Sequence, residues 1–195
     1  MPGDLGALLA DIRACTLCED ILPLGPRPMV QANTSASILI VGQAPGIRVH
    51  ETGIPFNDPS GDRLRDWMGI GRDIFYDETK VALVPMGFCF PGSDRYGDVP
   101  PPPICAETWR RRLLDHLTDV RLTLVLGQHA QKWHLPIKYK TLTENVRAWK
   151  SYGEGLIPIP HPSPRNNIWL KKNPWFELDL LPQLKGRVRE ALSLR

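Results

Sequence analysis

The sequence has no long hydrophobic run, and no apolar stretch approaches the roughly 20 residues that a membrane-spanning helix requires. Residues 1–4 contain no basic segment followed by an apolar one, so we expect no signal peptide and a cytoplasmic protein. The net charge is only +3. This small value does not exclude nucleic-acid binding, because such binding depends on a local basic patch. The sequence also lacks the Gly-Lys-Ser/Thr of a P-loop, which argues against a nucleotide-phosphate-binding enzyme.

Four short, strongly apolar segments alternate with helical patterns along the chain. The predicted strands are Ser37–Val41, Val81–Val84, Leu122–Gly127 and Leu156–Pro160. The predicted helices are Asp4–Ala14, Ser60–Met68, Ala106–Leu117, Gln128–Trp133 and Phe176–Leu192. Because alternating strands and helices form βαβ units, we expect an α/β fold. The expected architecture is a single domain over residues 1–195, with a central four-stranded parallel sheet flanked by helices.

Two of these elements carry more specific expectations. The prolines of the fourth strand, Pro158 and Pro160, favour a position at a sheet edge or strand end, because proline cannot donate to a strand ladder. The helix predicted over residues 106–117 is expected to carry Arg110, Arg111 and Arg112 on its outer faces.

Two loops leave the carboxyl ends of predicted strands, Gly42–Asp62 after the first strand and His161–Trp169 after the fourth. Both loops are rich in glycine, proline and polar side chains. Because the ligands of parallel α/β sheets bind beyond the carboxyl ends of the strands, we expect the functional site between these two loops.

The first loop begins with Gly42-Gln43-Ala44-Pro45-Gly46, whose glycines allow a ligand to approach the backbone closely. Farther along, Phe56 lies two residues before Asp58. An exposed aromatic ring could stack on a flat ligand while the carboxylate faces the reacting carbon. The alternative is a tight turn with a core phenylalanine and an aspartate that caps a helix. We expect Asp62 to lie in the first turn of that helix, where a carboxylate is favoured.

The second loop reads His161-Pro162-Ser163-Pro164-Arg165-Asn166-Asn167, and its prolines fix the backbone around His161 and Ser163. A fixed imidazole can donate a hydrogen bond to negative charge that develops on a leaving group. Arg165 and the asparagines can hold phosphates or fill a gap in a base stack. The alternative is a loop histidine whose hydrogen bonds are satisfied by the backbone.

In their order, spacing and strand context, these two loops resemble the two defining motifs of the uracil-DNA glycosylase superfamily. The resemblance extends from Cys15 to about Phe176. It implies an enzyme that hydrolyses the N-glycosidic bond of uracil, or of another deaminated base, in DNA and so initiates base excision repair. Such an enzyme must take the target base out of the duplex or act on a single strand. We expect it to act as a monomer.

The resemblance also implies roles for individual residues. Gln43, Asp58 and His161 are the expected catalytic residues. Phe56 would stack on the base, Gln43 would face the sugar and water, and Asp58 would orient a water or stabilise the positively charged sugar. Neutral His161 would stabilise negative charge on the base. The residues expected to contact the base or the DNA are Gly42, Ala44, Pro45, Gly46, Phe56, Ser163, Arg165 and Asn166. Basic side chains expected to lie near the phosphates are Arg48, Lys171 and Lys172, and the alternative for the lysine pair is an ordinary solvated face.

The four cysteines form a second pattern, with Cys15-x-x-Cys18 followed by Cys89 and Cys105. This layout resembles that of the superfamily's families four and five, which hold a [4Fe–4S] cluster on four thiolates. The resemblance therefore implies a structural iron–sulfur cluster. A zinc site with the same ligands, or four ordinary core cysteines, are the alternatives.

Three positions depart from the patterns of these families. Family four carries an acid where this chain has Gln43, and an asparagine that reads uracil where it has Pro85. Family five has an aliphatic residue at the position of Gln43 and an aspartate shortly after its Pro-Phe pair, as Asp58 follows Phe56 here. Many members place a leucine wedge where this chain has Arg165. A non-enzymatic protein that binds damaged DNA is therefore the alternative function, and retained turnover would exclude it.

Overall fold

The computed structural model describes residues 4–95 and 97–193. Its central feature is a four-stranded sheet in the order β2-β1-β5-β6, in which every pair of neighbouring strands is parallel. The strands of this sheet are β1 (Ile38–Val41), β2 (Val81–Leu83), β5 (Leu122–Leu126) and β6 (Leu156–Ile159). A separate antiparallel hairpin is formed by β3 (Ser93–Asp94) and β4 (Gly97–Asp98). The predicted α/β architecture is thus confirmed.

Helices connect these strands. In chain order they are α1 (Leu5–Arg13), α2 (Ile47–Thr52), α3 (Pro59–Met68), α4 (Arg72–Phe75), α5 (Pro103–Cys105), α6 (Arg111–Leu114), α7 (Gly127–His134), α8 (Leu142–Arg147), α9 (Asn167–Lys172) and α10 (Leu181–Ser193). Two π-helical turns, Ala106–Arg110 and Phe176–Leu180, continue directly into α6 and α10. Within the described ranges, no helix is long and apolar enough to cross a bilayer.

The core has two layers because alternate residues of the strands point to opposite faces of the sheet. On one face, Ile38 and Ile40 belong to a cluster with Leu64 of α3 and Leu184 of α10. On the other face, residues that include Leu39 and Val41 of β1 and Val125 of β5 pack with α1 and with the helix that follows the proline run. Apolar residues on both faces of β1 are what a parallel strand covered by helices requires.

The edge position of β6 is confirmed, since β6 is the last strand of the sheet in the described part of the chain and pairs there with β5 alone. Pro158 lies opposite Val125 in that pairing, and at an edge its missing N–H group removes no ladder hydrogen bond on the open side. Other boundaries differ slightly from the prediction. Strand β2 ends at Leu83, and Gly127 already belongs to α7 with a positive φ of 76°.

The prediction that Arg110 lies on an outer helix face is wrong. Its side chain is fully buried at the end of the π-helical turn. The guanidinium donates to the carbonyls of Val84 (3.2 Å) and Pro85 (2.8 Å), just beyond β2, and lies 3.0 Å from Nε2 of His134. These partners satisfy the buried donors, as burial of a polar group requires. Burial lowers the pKa of Arg110 to about 10 and that of His134 to about 3.

Candidate active site

A cavity of about 620 Å³ lies at the carboxyl edge of the sheet, where the two motif loops meet. Its size is in the range of pockets that hold small-molecule ligands. Every residue that the sequence predicted for catalysis or for base and DNA contact lines it: Gly42, Gln43, Ala44, Pro45, Gly46, Phe56, Asp58, His161, Ser163, Arg165 and Asn166. The structure therefore brings the two loops together, although they lie more than half the chain apart.

The first loop is held against the segment that follows β2. The N–H groups of Met86 and Gly87 donate to the carbonyls of Gly42 and Gln43, each at 2.9 Å. The Gln43 side chain has a second function that the sequence did not indicate. Its Nε2 donates to the carbonyls of Asp98 (3.1 Å) and Val99 (2.9 Å). Gln43 thus fastens the β3–β4 hairpin over the cavity.

Phe56 adopts a backbone conformation that is unusual for an aromatic residue, with a φ of 53°. Its carbonyl accepts a hydrogen bond from Nη1 of the buried Arg65 at 3.3 Å. The same carbonyl lies against Gly61, where a Cβ atom would approach it to 1.8 Å. The Phe56 ring packs edge-to-face on the Phe75 ring, with the ring centroids 5.8 Å apart. These contacts hold Phe56 as a half-buried wall of the cavity.

Asp58 both caps a helix and lines the cavity, the two roles that the sequence left open. It is the N-cap of α3, and its Oδ1 accepts a hydrogen bond from the N–H of Gly61 at 2.8 Å. Its side chain also lines the cavity. Asp62, in contrast, is absent from the cavity lining and forms an ion pair of 2.6 Å with Arg65 inside α3. This placement agrees with the expected position of Asp62 in the first helical turn.

His161 follows β6 directly, in a loop that is fixed from two sides. Nδ2 of Asn166 donates to the His161 carbonyl at 2.7 Å, and Nη1 of Arg63 donates to the Ser163 carbonyl at 3.1 Å. Burial lowers the pKa of His161 below its ordinary value of 6.5, while the negative charges of Asp58 and Asp98 oppose this shift. The imidazole is therefore neutral near pH 7.

Of the four basic side chains that were expected to contact DNA, Arg165 lines the cavity. Arg165 is exposed, and its guanidinium packs against Gly97 so closely that a Cβ there would lie 2.3 Å from Nη1. Lys171 and Lys172 are exposed in the last turn of α9, and Arg48 is exposed on α2. These last three side chains do not line the cavity.

Sequence reasoning missed several residues of the cavity. Asp98 was missed because the hairpin strands have only two residues each and leave no periodic pattern. Gln128 carried a usable signal, since it follows the carboxyl end of β5 beside the predicted site. Other lining residues that were not predicted are Met29, Val49, Pro55, Ser60, Leu83 and Gly97.

The four cysteines line a second, largely apolar cavity beneath the N-terminal segment. Three of the sulfurs accept hydrogen bonds: Cys15 from Nε1 of Trp109 (3.3 Å), Cys105 from the N–H of Phe88 (3.4 Å) and Cys89 from the backbone N–H of Arg27. Burial, opposed by a backbone hydrogen bond in each case and reinforced by the neighbouring thiols, raises the pKa values of Cys89 and Cys105 to about 11.

No group of three or more histidine, cysteine, aspartate or glutamate side chains in residues 4–95 and 97–193 is arranged to hold a metal ion. The donor set is nevertheless chemically suited to an iron–sulfur cluster. It consists of four thiols around one apolar cavity, and three of them accept hydrogen bonds from N–H groups.

A parallel sheet with two loops converging on one cavity at its carboxyl edge defines an α/β protein with a candidate ligand site at the strand ends. The comparison with known families agrees. The family model of the uracil DNA glycosylase superfamily matches residues 29–185. The chain belongs to this superfamily, and its membership suggests DNA glycosylase activity.

Proposed function

We propose that the protein is a DNA glycosylase that hydrolyses the N-glycosidic bond of uracil, and of other deaminated bases, to initiate base excision repair. The observation that carries this proposal is the meeting of an aromatic wall, a carboxylate and a neutral imidazole in one cavity: Phe56, Asp58 and His161. A stacking surface and two polar groups of opposite function are what the removal of a flipped base requires.

In the proposed reaction, Phe56 stacks on the base after it has left the duplex. The bond between the anomeric carbon and the base nitrogen breaks, and its electron pair moves to the base. Neutral His161 donates a hydrogen bond to a carbonyl oxygen of the base and stabilises this negative charge. Positive charge develops on the sugar, as in glycoside hydrolysis, and Asp58 stabilises it and orients the attacking water.

We assign Gln43 the role of positioning the β3–β4 hairpin, because its amide nitrogen is already engaged and is not available to the attacking water. Both Nε2 hydrogen bonds of Gln43 go to carbonyls of the hairpin. Ser163, Arg165 and Asn166 would hold the phosphates that flank the flipped nucleotide, because they line the cavity beside His161.

We also propose that Cys15, Cys18, Cys89 and Cys105 hold a [4Fe–4S] cluster. Such a group would tie the N-terminal segment and the chain around residues 89–105 to the sheet, and it would supply structural stability rather than a reaction step. Zinc on the same thiols is the alternative, and elemental analysis distinguishes the two.

A decisive test of the activity uses oligonucleotides that contain uracil, hypoxanthine or xanthine at one position, each as single and double strands. After incubation with the purified protein, alkali cleaves the strand wherever a base has been removed. We expect strand cleavage with the uracil oligonucleotides and none with the unmodified sequence. Absence of cleavage from every substrate would contradict the proposal.

The second candidate function is binding of damaged DNA without cleavage. It is favoured by the amide at Gln43, where family four has an acid. Retention of lesion DNA in a gel-shift measurement, without alkali-sensitive sites under the same conditions, would support this candidate instead.

A further inference from the structure

The β3–β4 hairpin covers one side of the cavity and is attached to both motif loops. On the side of the first loop, the Gln43 amide donates to the carbonyls of Asp98 and Val99. On the side of the second loop, the Arg165 guanidinium packs on Gly97. The N–H of Val99 also donates to the carbonyl of Gly92 at 3.0 Å, which closes the base of the hairpin. The hairpin is therefore fixed by the same loops that form the site.

This attachment places the side chain of Asp98 in the cavity wall. Its Oδ1 accepts a hydrogen bond from the hydroxyl of Ser93 at 2.6 Å. Its Oδ2 points towards Gly46, 3.4 Å from the place of a Cβ atom there. In the part of the chain that the structure describes, no side chain or backbone N–H donates to Oδ2. One carboxylate oxygen is thus oriented by a neighbour and the other is left for a ligand.

The carboxylates of Asp58 and Asp98 differ in the hydrogen bonds that they accept within the protein. Asp58 uses Oδ1 to cap α3 through the N–H of Gly61. Within residues 4–95 and 97–193, the Asp98 carboxylate accepts a hydrogen bond from one side chain, the neutral hydroxyl of Ser93 in the same hairpin. Both negative charges act on His161, one from the first loop and one from the hairpin. The imidazole therefore faces carboxylates from two separate elements.

We propose that Asp98 is a second catalytic carboxylate and accepts the proton of the attacking water. This inference rests on the glycosylase function proposed above. The water oxygen bonds to the anomeric carbon as the bond to the base breaks, and the water proton moves to Oδ2 of Asp98. The base leaves as an anion, held by His161, and is then protonated from solvent. Asp98 returns its proton to solvent, so the products are an abasic sugar and a neutral base.

The test compares Asp98→Asn with Asp94→Asn, a matched change in the same hairpin. Asp94 accepts a hydrogen bond from the N–H of Gly97, which an asparagine oxygen can also accept. Asp94 does not line the cavity. The readouts are the single-turnover rate on a uracil oligonucleotide and the Kd for an oligonucleotide with 2′-fluoro-2′-deoxyuridine, which resists cleavage. We expect D98N to lose on the order of 10²-fold or more in rate, with a Kd within a few-fold of wild type, and D94N to match wild type.

A third variant separates a catalytic carboxylate from a structural one. In Asp98→Ala, added sodium formate can occupy the vacated space and accept the proton, so formate should raise the rate of D98A and leave that of D94N unchanged. A D98N rate equal to wild type, an equal loss in D94N, or a D98A rate that formate does not raise would each overturn the assignment. If wild type cleaves while D98N is unaffected, only this inference fails. If wild type releases no base, the proposed glycosylase function fails as well.

Discussion

At Phe56, a left-handed backbone conformation is maintained by its neighbours and by nothing intrinsic to the residue. A non-glycine residue in this region is strained by about 1–3 kcal/mol. The hydrogen bond from Arg65 and the close packing of Gly61 on the Phe56 carbonyl hold this conformation. These contacts hold the strained backbone, and with it the aromatic ring, in place before a ligand arrives. A base would therefore meet a surface that needs no rearrangement.

Gly61→Ala is therefore predicted to damage the site through backbone contact. The new Cβ atom would lie 1.8 Å from the Phe56 carbonyl oxygen, so either α3 or the Phe56 backbone must move. We expect a loss of stability of about 1–3 kcal/mol and a lower single-turnover rate. The control is Gly186→Ala in α10, where a Cβ would meet nothing within 4 Å. That change should stabilise the helix by about 0.5–1 kcal/mol. Urea unfolding of both variants measures the difference, and equal effects would contradict the prediction.

His161 gives a second prediction, which concerns pH. Its pKa is lowered by burial, so the neutral form that the reaction uses persists below pH 6.5. Activity should be retained as the pH falls through 6.5 and be lost only as it falls through the lower pKa of the folded protein. Below pH 6.5 the unfolded chain binds the proton more readily, so His161 also makes the folded state less stable in acid.

The measurement is the single-turnover rate between pH 5 and 8 for wild type and for His161→Ala. We expect the variant to be slower by on the order of 10²–10³-fold, as for loss of one donor to a developing anion, and to lack the acid limb of wild type. A wild-type rate that already halves at pH 6.5 or above would argue against a neutral imidazole.

Among the elements, those with a strong local pattern could be predicted and those defined by distant contacts could not. The run Ile38–Val41 is buried on both faces and reads as a parallel strand from its residues alone. Both motif loops follow from the strand ends, which is why the eleven predicted residues were found together. The β3–β4 hairpin and the inward turn of Arg110 depend on partners elsewhere in the chain. No local periodicity encodes such contacts.

The cysteine cavity yields a prediction about α1 and the segment that follows it. Cys89→Ser removes one of the four thiols that line the cavity between residues 15–18 and the chain at 89 and 105. If a cluster is present, anaerobically purified wild type should be brown and contain iron, and C89S should lose both colour and thermal stability because metal binding contributes to folding. Zinc without iron would indicate the alternative site. A colourless wild type with neither metal would contradict both.

At the scale of the whole molecule, the exposed basic residues that follow the His161 loop predict how the proposed affinity for DNA depends on salt. Lys171 and Lys172 lie on α9, which follows the His161 loop. If each neutralises one phosphate, the double change to alanine should reduce the slope of log K against log salt by about 2. Lys150→Ala is the control, because Lys150 lies in the turn before the amino end of β6, whereas the His161 loop leaves the carboxyl end of that strand. The salt slope of Lys150→Ala should equal that of wild type. If Lys150→Ala lowers the slope as much as the double change does, Lys171 and Lys172 are not the phosphate contacts.

The strand order has a consequence for the time at which activity first arises in a growing chain. Strand β1 pairs with β2 on one side and with β5, which comes much later in the chain, on the other. Strand β6 lies beyond β5. During synthesis, β1 and β2 therefore leave the ribosome well before β5, the second neighbour of β1. Until β5 pairs with it, the open edge of Ile38–Val41 needs protection from aggregation. The Gly42 and His161 loops meet only after β5 and β6 have joined the sheet. An incomplete chain cannot assemble the cavity, so we expect a truncated product of translation to lack the proposed glycosylase activity.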